Sequence, residues 1–175
     1  GVNIRFTNPI GKDKYGDLKD SFFAGTWYRT DSSKPGRERF EQREIDYNNI
    51  IYPALDYNLE IYSRWNKAER EKYNMQTPDD IDRYIVGSAP FDQMPDVYRS
   101  YRVMMNVNTV QNSPTMFSRR VIESMACGTP VISGPNQALE NYFGDVVHFS
   151  HSPEQTQEHI ERFIKDEEYY DRVSI

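Results

Sequence analysis

The chain has 175 residues, enough for one domain with its own core and too few for two of ordinary size. Its 27 acidic residues against 21 lysines and arginines leave a net charge of −6, which argues against nucleic acid or an anionic membrane as partner. No apolar run approaches the roughly 18 residues a membrane-spanning helix needs, and the single cysteine, Cys127, excludes an internal disulfide framework and fits a reducing, cytoplasmic compartment.

Mean hydropathy is −0.83, low for a globular domain, but 13 Tyr and 9 Phe supply apolar area that hydropathy undercounts. In chain order, residues 21–28 (SFFAGTWY) read as a buried strand with glycine near its end. Turn residues follow, and the spacing of Phe40, Ile45 and Tyr52 predicts a helix from about Arg37 to Tyr52, stopped by Pro53. Its charged stretch RERFEQRE (37–44) reads as a solvated face whose first turn is placed to contribute to phosphate binding. Residues 58–65 form a second strand, and AEREKYNM (68–75) stays open between a helical turn and a polar insertion. A third strand is expected at 82–90, a helix at 93–101 and a fourth strand at 102–110, with Met104 and Met105 in the core. After the loop QNSPT come a helix at 118–127, a strand at 130–133, a helix at 136–144 ending at Gly144, and a strand at 146–150. A closing helix spans 152–173, with Ser152 as N-cap, Pro153 at its first position and Ile160, Phe163 and Ile164 as its buried stripe.

Apolar strands separated by helices predict a doubly wound, Rossmann-like α/β domain: one parallel sheet with helices on both faces. Ligands in such sheets bind beyond the carboxyl ends of the strands, where loops enter helix N-termini. Residues 1–175 read as one such domain, and both ends look cut, as if it were excised from a longer two-domain chain.

The stretch SRRVIESMACGTPVIS (118–133) carries the main functional signal. On a helical wheel Phe117, Val121, Ile122, Met125 and Ala126 share one face, while Arg119 and Glu123 fall together opposite. Two readings stand at this point: an exposed i,i+4 ion pair, or a site. The entry SPTMFS (113–118) favours a site, because helix-start N–H groups there point at whatever lies beyond the strand end and suit a diphosphate. A carboxylate a turn and a half into the helix then accepts hydrogen bonds from a ribose diol. Cys127, in a small-residue helix end, reads as packed rather than nucleophilic. His148, His151 and His159 lack metal-ligand spacing.

The block TMFSRRVIESMACGTPVISGPNQALENYFGDVV (115–147) resembles the nucleotide-sugar-binding, C-terminal half of GT-B glycosyltransferases, and within them the CgeB-like, spore-maturation-type group. Glu123 followed by SMACGTPVI is its most specific part; VGSAPFDQMPDVYRSYRVMMNVN (86–108) and FFAGTWYR (22–29) extend the likeness, in order, over roughly 21–165. The resemblance implies that Glu123 binds the ribose hydroxyls. It further implies that the backbone around Phe117, Ser118 and Arg119, with Met116 beside it, cradles the diphosphate. Gly25 would leave room for the phosphates, Arg29 or Arg64 would supply counter-charge, and Ser88 and Ala89 would face the base. Thr115 stands where many retaining members carry a second glutamate; it offers a hydrogen bond to a sugar hydroxyl but no charge, so the sugar and the stereochemical outcome stay open.

The expected substrate is a nucleoside diphosphate sugar, a UDP-sugar foremost, with no cofactor and no metal. The expected partner is an N-terminal acceptor-binding domain of the same bacterial, cytoplasmic protein, which often carries the general base. The fragment alone is then expected to bind nucleotide and to transfer sugar poorly or not at all. The alternative is a catalytically inactive nucleotide-binding or protein-interaction module on the same fold, motivated by Thr115 and the acidic, tyrosine-rich composition. A sugar-phosphate epimerase on this architecture is disfavoured, since no histidine precedes residue 148.

Overall fold

A computed structural model describes residues 5, 7–27, 41–73 and 77–174. Arg29 and positions 37–40 of the predicted helix lie outside the described residues. Six strands form one parallel sheet: β1 (Lys19–Ala24), β2 (Glu60–Tyr62), β3 (Ile85–Gly87), β4 (Tyr101–Asn106), β5 (Val131–Ser133) and β6 (His148–Phe149), in the order β3-β2-β1-β4-β5-β6. The predicted doubly wound fold is thus observed. The apolar doublets explain the central strands. Phe22 pairs in register with Met104 and Phe23 with Met105. Side chains alternate across a strand, so Phe23 and Met105 enter one core while Phe22 and Met104 enter the other.

The helices are α1 (Glu41–Asp46), α2 (Tyr52–Ala54), α3 (Lys67–Lys72), α4 (Asp79–Asp82), α5 (Met94–Arg99), α6 (Arg119–Ala126), α7 (Gln137–Phe143), α8 (Pro153–Lys165) and α9 (Glu167–Val173). Ile50, Ile51, Ile160 and Phe163 cover one face of the sheet, and Tyr98, Val121 and Leu139 the other.

Several expectations change. Pro53 does not stop the first helix: α1 widens into a π-helical segment, Tyr47–Ile51, and continues through Pro53 into α2. An interior proline forfeits one backbone bond of the preceding turn, and here the widened turn directly precedes it. The described part of the 68–75 stretch, up to Tyr73, is helical. It belongs to α3, which Asn66 and Glu69 open with a reciprocal capping box, and Asn74 and Met75 lie outside the described residues. The closing helix is two, α8 and α9. Asp166 leaves helical geometry and caps α9 by accepting from the Tyr169 N–H at 2.9 Å. Ser152 and Pro153 open α8 as expected, and Cys127, Met104 and Met105 are buried core residues.

Candidate functional site

Between β1 and β4 the strand order reverses, so their outgoing loops diverge and open a crevice at the carboxyl ends. A cleft of about 820 Å³ occupies it. Gly25 and Thr26 line it from the end of β1, Ser63 and Arg64 from the end of β2, and Ser88 and Ala89 from beyond β3. The segment after β4 contributes Val107–Val110, and the start of α6 contributes Met116–Arg120 and Glu123.

Glu123 is only 6% exposed although it sits on a helix that begins at the surface. Its Oε1 takes the Arg119 Nε at 2.7 Å, and its Oε2 accepts from the Tyr98 hydroxyl at 3.1 Å. The ion pair expected from the i,i+4 spacing therefore forms, but with its carboxylate buried. Of the shared face, Val121 is fully buried and Phe117 and Met125 pack against the same core. Val121, Glu123 and Ser124 are the buried residues of α6, while Phe117, Ile122, Met125 and Ala126 are half-buried. Tyr98 of α5 covers Glu123 on the side opposite that face, while Arg119 on the same side stays exposed. Burial and the adjacent Glu123 charge both push the Tyr98 hydroxyl pKa upward, so this phenol stays a donor. Behind Glu123 lies a smaller, mostly apolar cavity of about 90 Å³ between Phe91, Met94, Pro95 and Tyr98. The Arg119 guanidinium stacks over the exposed Phe91 ring, 4.8 Å from its centroid.

Ser118 is the N-cap of α6 yet makes no side-chain capping bond. Asn66, Asn136, Ser152 and Asp166 each cap their own helices. The first-turn N–H groups of α6, like those of α4 and α5, lack a side-chain acceptor, and in α6 they lie at the cleft wall. Around this point the walls hold four arginines, Arg43, Arg64, Arg119 and Arg120, against one carboxylate, Glu123. A chain of net charge −6 therefore presents a cationic crevice.

The structure brings together Gly25, Arg64, Ser88, Ala89, Met116, Phe117, Ser118, Arg119 and Glu123, all on the cleft wall. Thr115 is exposed and not part of that wall; Ser113 Oγ accepts from its N–H at 3.4 Å. Gly25 is a glycine for a further reason. A Cβ there would lie 2.7 Å from Phe23 Cζ and 3.2 Å from Arg120 Nη1, and Arg120 donates to the Ala24 carbonyl across that gap.

Arg43 and Arg120 were missed from sequence. Arg43, read as part of a solvated face, is 8% exposed and donates to the Tyr47 hydroxyl, Thr109 Oγ1 and the Thr26 carbonyl at 2.6, 3.1 and 3.0 Å. Nothing in its charged neighbourhood distinguishes it from solvated residues such as Glu44. Tyr98 lies within the 86–108 block, and its partner is supplied only by the packing of α5 on α6. The described residues hold no group of three or more His, Cys, Asp or Glu side chains placed for a metal ion, and no helix among them is long and apolar enough to cross a membrane.

Residues 38–174 match the family model described as glycosyl transferase-like. The chain belongs to that family. Comparison with curated proteins gives no match in sequence. Among solved structures the fold is similar to the C-terminal domain of the glycosyl transferase group 1 family protein LpcC from Francisella tularensis. That likeness has a TM-score of 0.58 at 14% identity and covers 99% of this chain and 93% of that one. Sucrose-phosphate synthase from Thermosynechococcus elongatus aligns with a TM-score of 0.63 at 16% identity, covering 99% of this chain and 44% of its own. HepE from Anabaena, solved in complex with UDP and glucose, aligns with a TM-score of 0.54 at 16% identity, covering 99% and 48%. The glycosyl transferase-like chain thus spans nearly all of one C-terminal domain and under half of the two longer proteins.

Proposed function

We propose that this chain is the donor-binding domain of a glycosyltransferase that moves a sugar from a nucleoside diphosphate sugar, a UDP-sugar foremost, to an acceptor hydroxyl. The observation that carries the reading is Glu123, a carboxylate buried at the rim of the switch-point crevice and held in place by Tyr98 and Arg119. A free surface carboxylate has no reason to be desolvated; one that accepts two hydroxyls of a ribose does. The structural likeness to HepE, whose crystals hold UDP, supports the nucleotide class. Within the family, the Glu123–SMACGTPVI block supports placement in the CgeB-like group of bacterial, cytoplasmic enzymes.

In this reading the diphosphate lies against the uncapped start of α6, where first-turn N–H groups and Arg64, Arg119 and Arg120 face it. As the glycosidic bond to the donor breaks, negative charge grows on the leaving diphosphate, and these fixed donors stabilise it without reorganising. The acceptor and the general base belong to an N-terminal domain across the cleft. Thr115 sits outside the cleft wall, free to meet the sugar or that second domain.

Isothermal calorimetry with UDP, GDP, ADP and CDP tests the reading on wild type, Glu123→Ala and Glu123→Gln. Expected is binding to UDP that falls by about 30-fold or more when the carboxylate is removed, since each charge-assisted bond is worth about 1.5–3 kcal/mol. No heat with any nucleotide would overturn the reading in favour of an interaction module. Sugar transfer by the 175-residue chain alone would overturn the split of donor and acceptor sites between two domains.

A further inference from the structure

We propose that Arg43 and Asp46, three residues apart on α1, are positioning residues that grip the two loops flanking the crevice and hold them in their donor-binding shape. The proposal rests on the donor reading above and adds what fixes that site's geometry. Asp46 is 1% exposed. Facing its carboxylate are Gln42 and Arg43 from its own helix, Asn108 and Gln111 from the segment after β4, and Gly134 at the end of β5. Of these groups Arg43 is the charged one. The Asn108 N–H donates to Asp46 at 2.7 Å and the Gln111 side-chain amide at 3.2 Å.

Arg43 completes the grip. One arm of its guanidinium reaches Thr109 in the loop after β4, and another reaches the Thr26 carbonyl in the loop after β1. Its Nε holds Tyr47, on which Trp27 of that same loop stacks at 3.8 Å with the rings 8° from parallel. The two loops that part at the β1/β4 switch point are therefore joined through one short helix. The widened turn at Tyr47–Ile51 follows directly after Asp46; such turns recur where a helix must aim side chains that regular geometry would misplace.

Burying an acid next to an arginine is weak support for stability, because desolvation offsets the attraction. What the arrangement secures is geometry. Asn108, Thr109 and Val110 line the cleft, and the same segment leads into the start of α6. Its far end is tied separately by Asn136, whose side-chain amide donates to the Val110 and Met116 carbonyls at 2.8 and 3.2 Å. Gly134 makes room for the acid: a Cβ there would collide with the Asp46 carboxylate. Burial pushes the Asp46 pKa up to about 7, so its ionisation changes across the neutral range. Protonation places an O–H where Gln111 or Asn108 donates, and so loosens the grip as pH falls.

The test uses Asp46→Asn and the milder Gln111→Ala, with amide hydrogen exchange on the free chain and calorimetry with UDP between pH 6 and 8. Expected in Asp46→Asn are exchange at 108–111 about tenfold faster than wild type and UDP binding about five- to twentyfold weaker. Gln111→Ala should give the same local pattern at smaller size, and it decides the matter if Asp46→Asn does not fold. The UDP terminal phosphate titrates near 6 in every variant. The diagnostic is therefore the difference between profiles, with wild-type affinity falling more steeply towards pH 6 than that of Asp46→Asn. Unchanged exchange at 108–111 in both variants overturns the grip whether or not UDP binds. Wild type that fails to bind UDP, with exchange accelerated as expected, counts against the donor reading and leaves the grip standing.

Discussion

Two helices on this sheet, α6 and α8, open with serine and obey different rules. Ser152 accepts from the Gln155 N–H at 3.3 Å and closes the start of α8, whose buried residues are Thr156, Ile160 and Phe163. Ser118 makes no such bond at the start of α6, and the buried residues there include Glu123. In α8 every local preference agrees with the fold: cap, proline at the first position, one buried stripe. In α6 the cap is left open and a carboxylate is desolvated, both at the end that faces the crevice. Local rules give way where a ligand is expected to complete the structure.

Substitutions on the two helices should separate these roles. The largest stability effect belongs to α8. Phe163 is fully buried, and Phe163→Ala should cost about 3–5 kcal/mol in chemical denaturation while folded protein keeps its UDP affinity. On α6, Glu123→Ala should cost about 1–3 kcal/mol because the Tyr98 hydroxyl loses its acceptor. Glu123→Gln should stay near wild-type stability and still lose most UDP affinity. Equal affinity in Glu123→Gln and wild type would return Glu123 to a structural role.

The pH response sharpens the contrast further. His148 packs against Phe163 of α8, with ring centroids 4.9 Å apart, and burial, with His159 and Arg162 nearby, lowers its pKa from 6.5 to about 4. A depressed histidine leaves the folded state with fewer bound protons, so its contribution is complete above pH 6.5 and is lost as pH falls towards 4. Asp46, beneath the crevice, has a pKa raised from 3.8 to about 7, so its contribution is complete below pH 3.8 and is lost as pH rises towards 7. Between about pH 4 and 6.5 the two slopes oppose each other, each at most about 1.4 kcal/mol per pH unit. Denaturation at pH 4.5, 5.5 and 6.5 should show stability rising with pH in Asp46→Asn and falling with pH in His148→Phe. A variant whose slope matches wild type removes its residue from this balance.

The smallest effects return to the caps. Ser152→Ala should lower stability by about 1 kcal/mol and leave UDP binding alone. Ser118→Ala should be nearly neutral for stability in thermal unfolding, because there is no capping bond to lose.

What the sequence determined by itself depends on neighbours along the chain. The apolar doublets Phe22-Phe23 and Met104-Met105 predicted strands buried on both faces, and Ser152-Pro153 predicted where α8 begins. The Glu123–SMACGTPVI block marked the site through its resemblance to a family. Tertiary structure decided the rest. Strand ends are set by pairing: β2 is three residues long, paired with Phe22–Ala24 of β1, and β3 is three residues long beside it, with a register shift at Ile61/Tyr62. Glu123 is buried because Tyr98, 25 residues earlier, closes over it. Arg43 joins the crevice because α1 folds back beneath Thr26 and Thr109. Periodicity along one helix reports which face is apolar. Whether a charged residue is desolvated depends on which distant group meets it, and that is decided only when the elements pack.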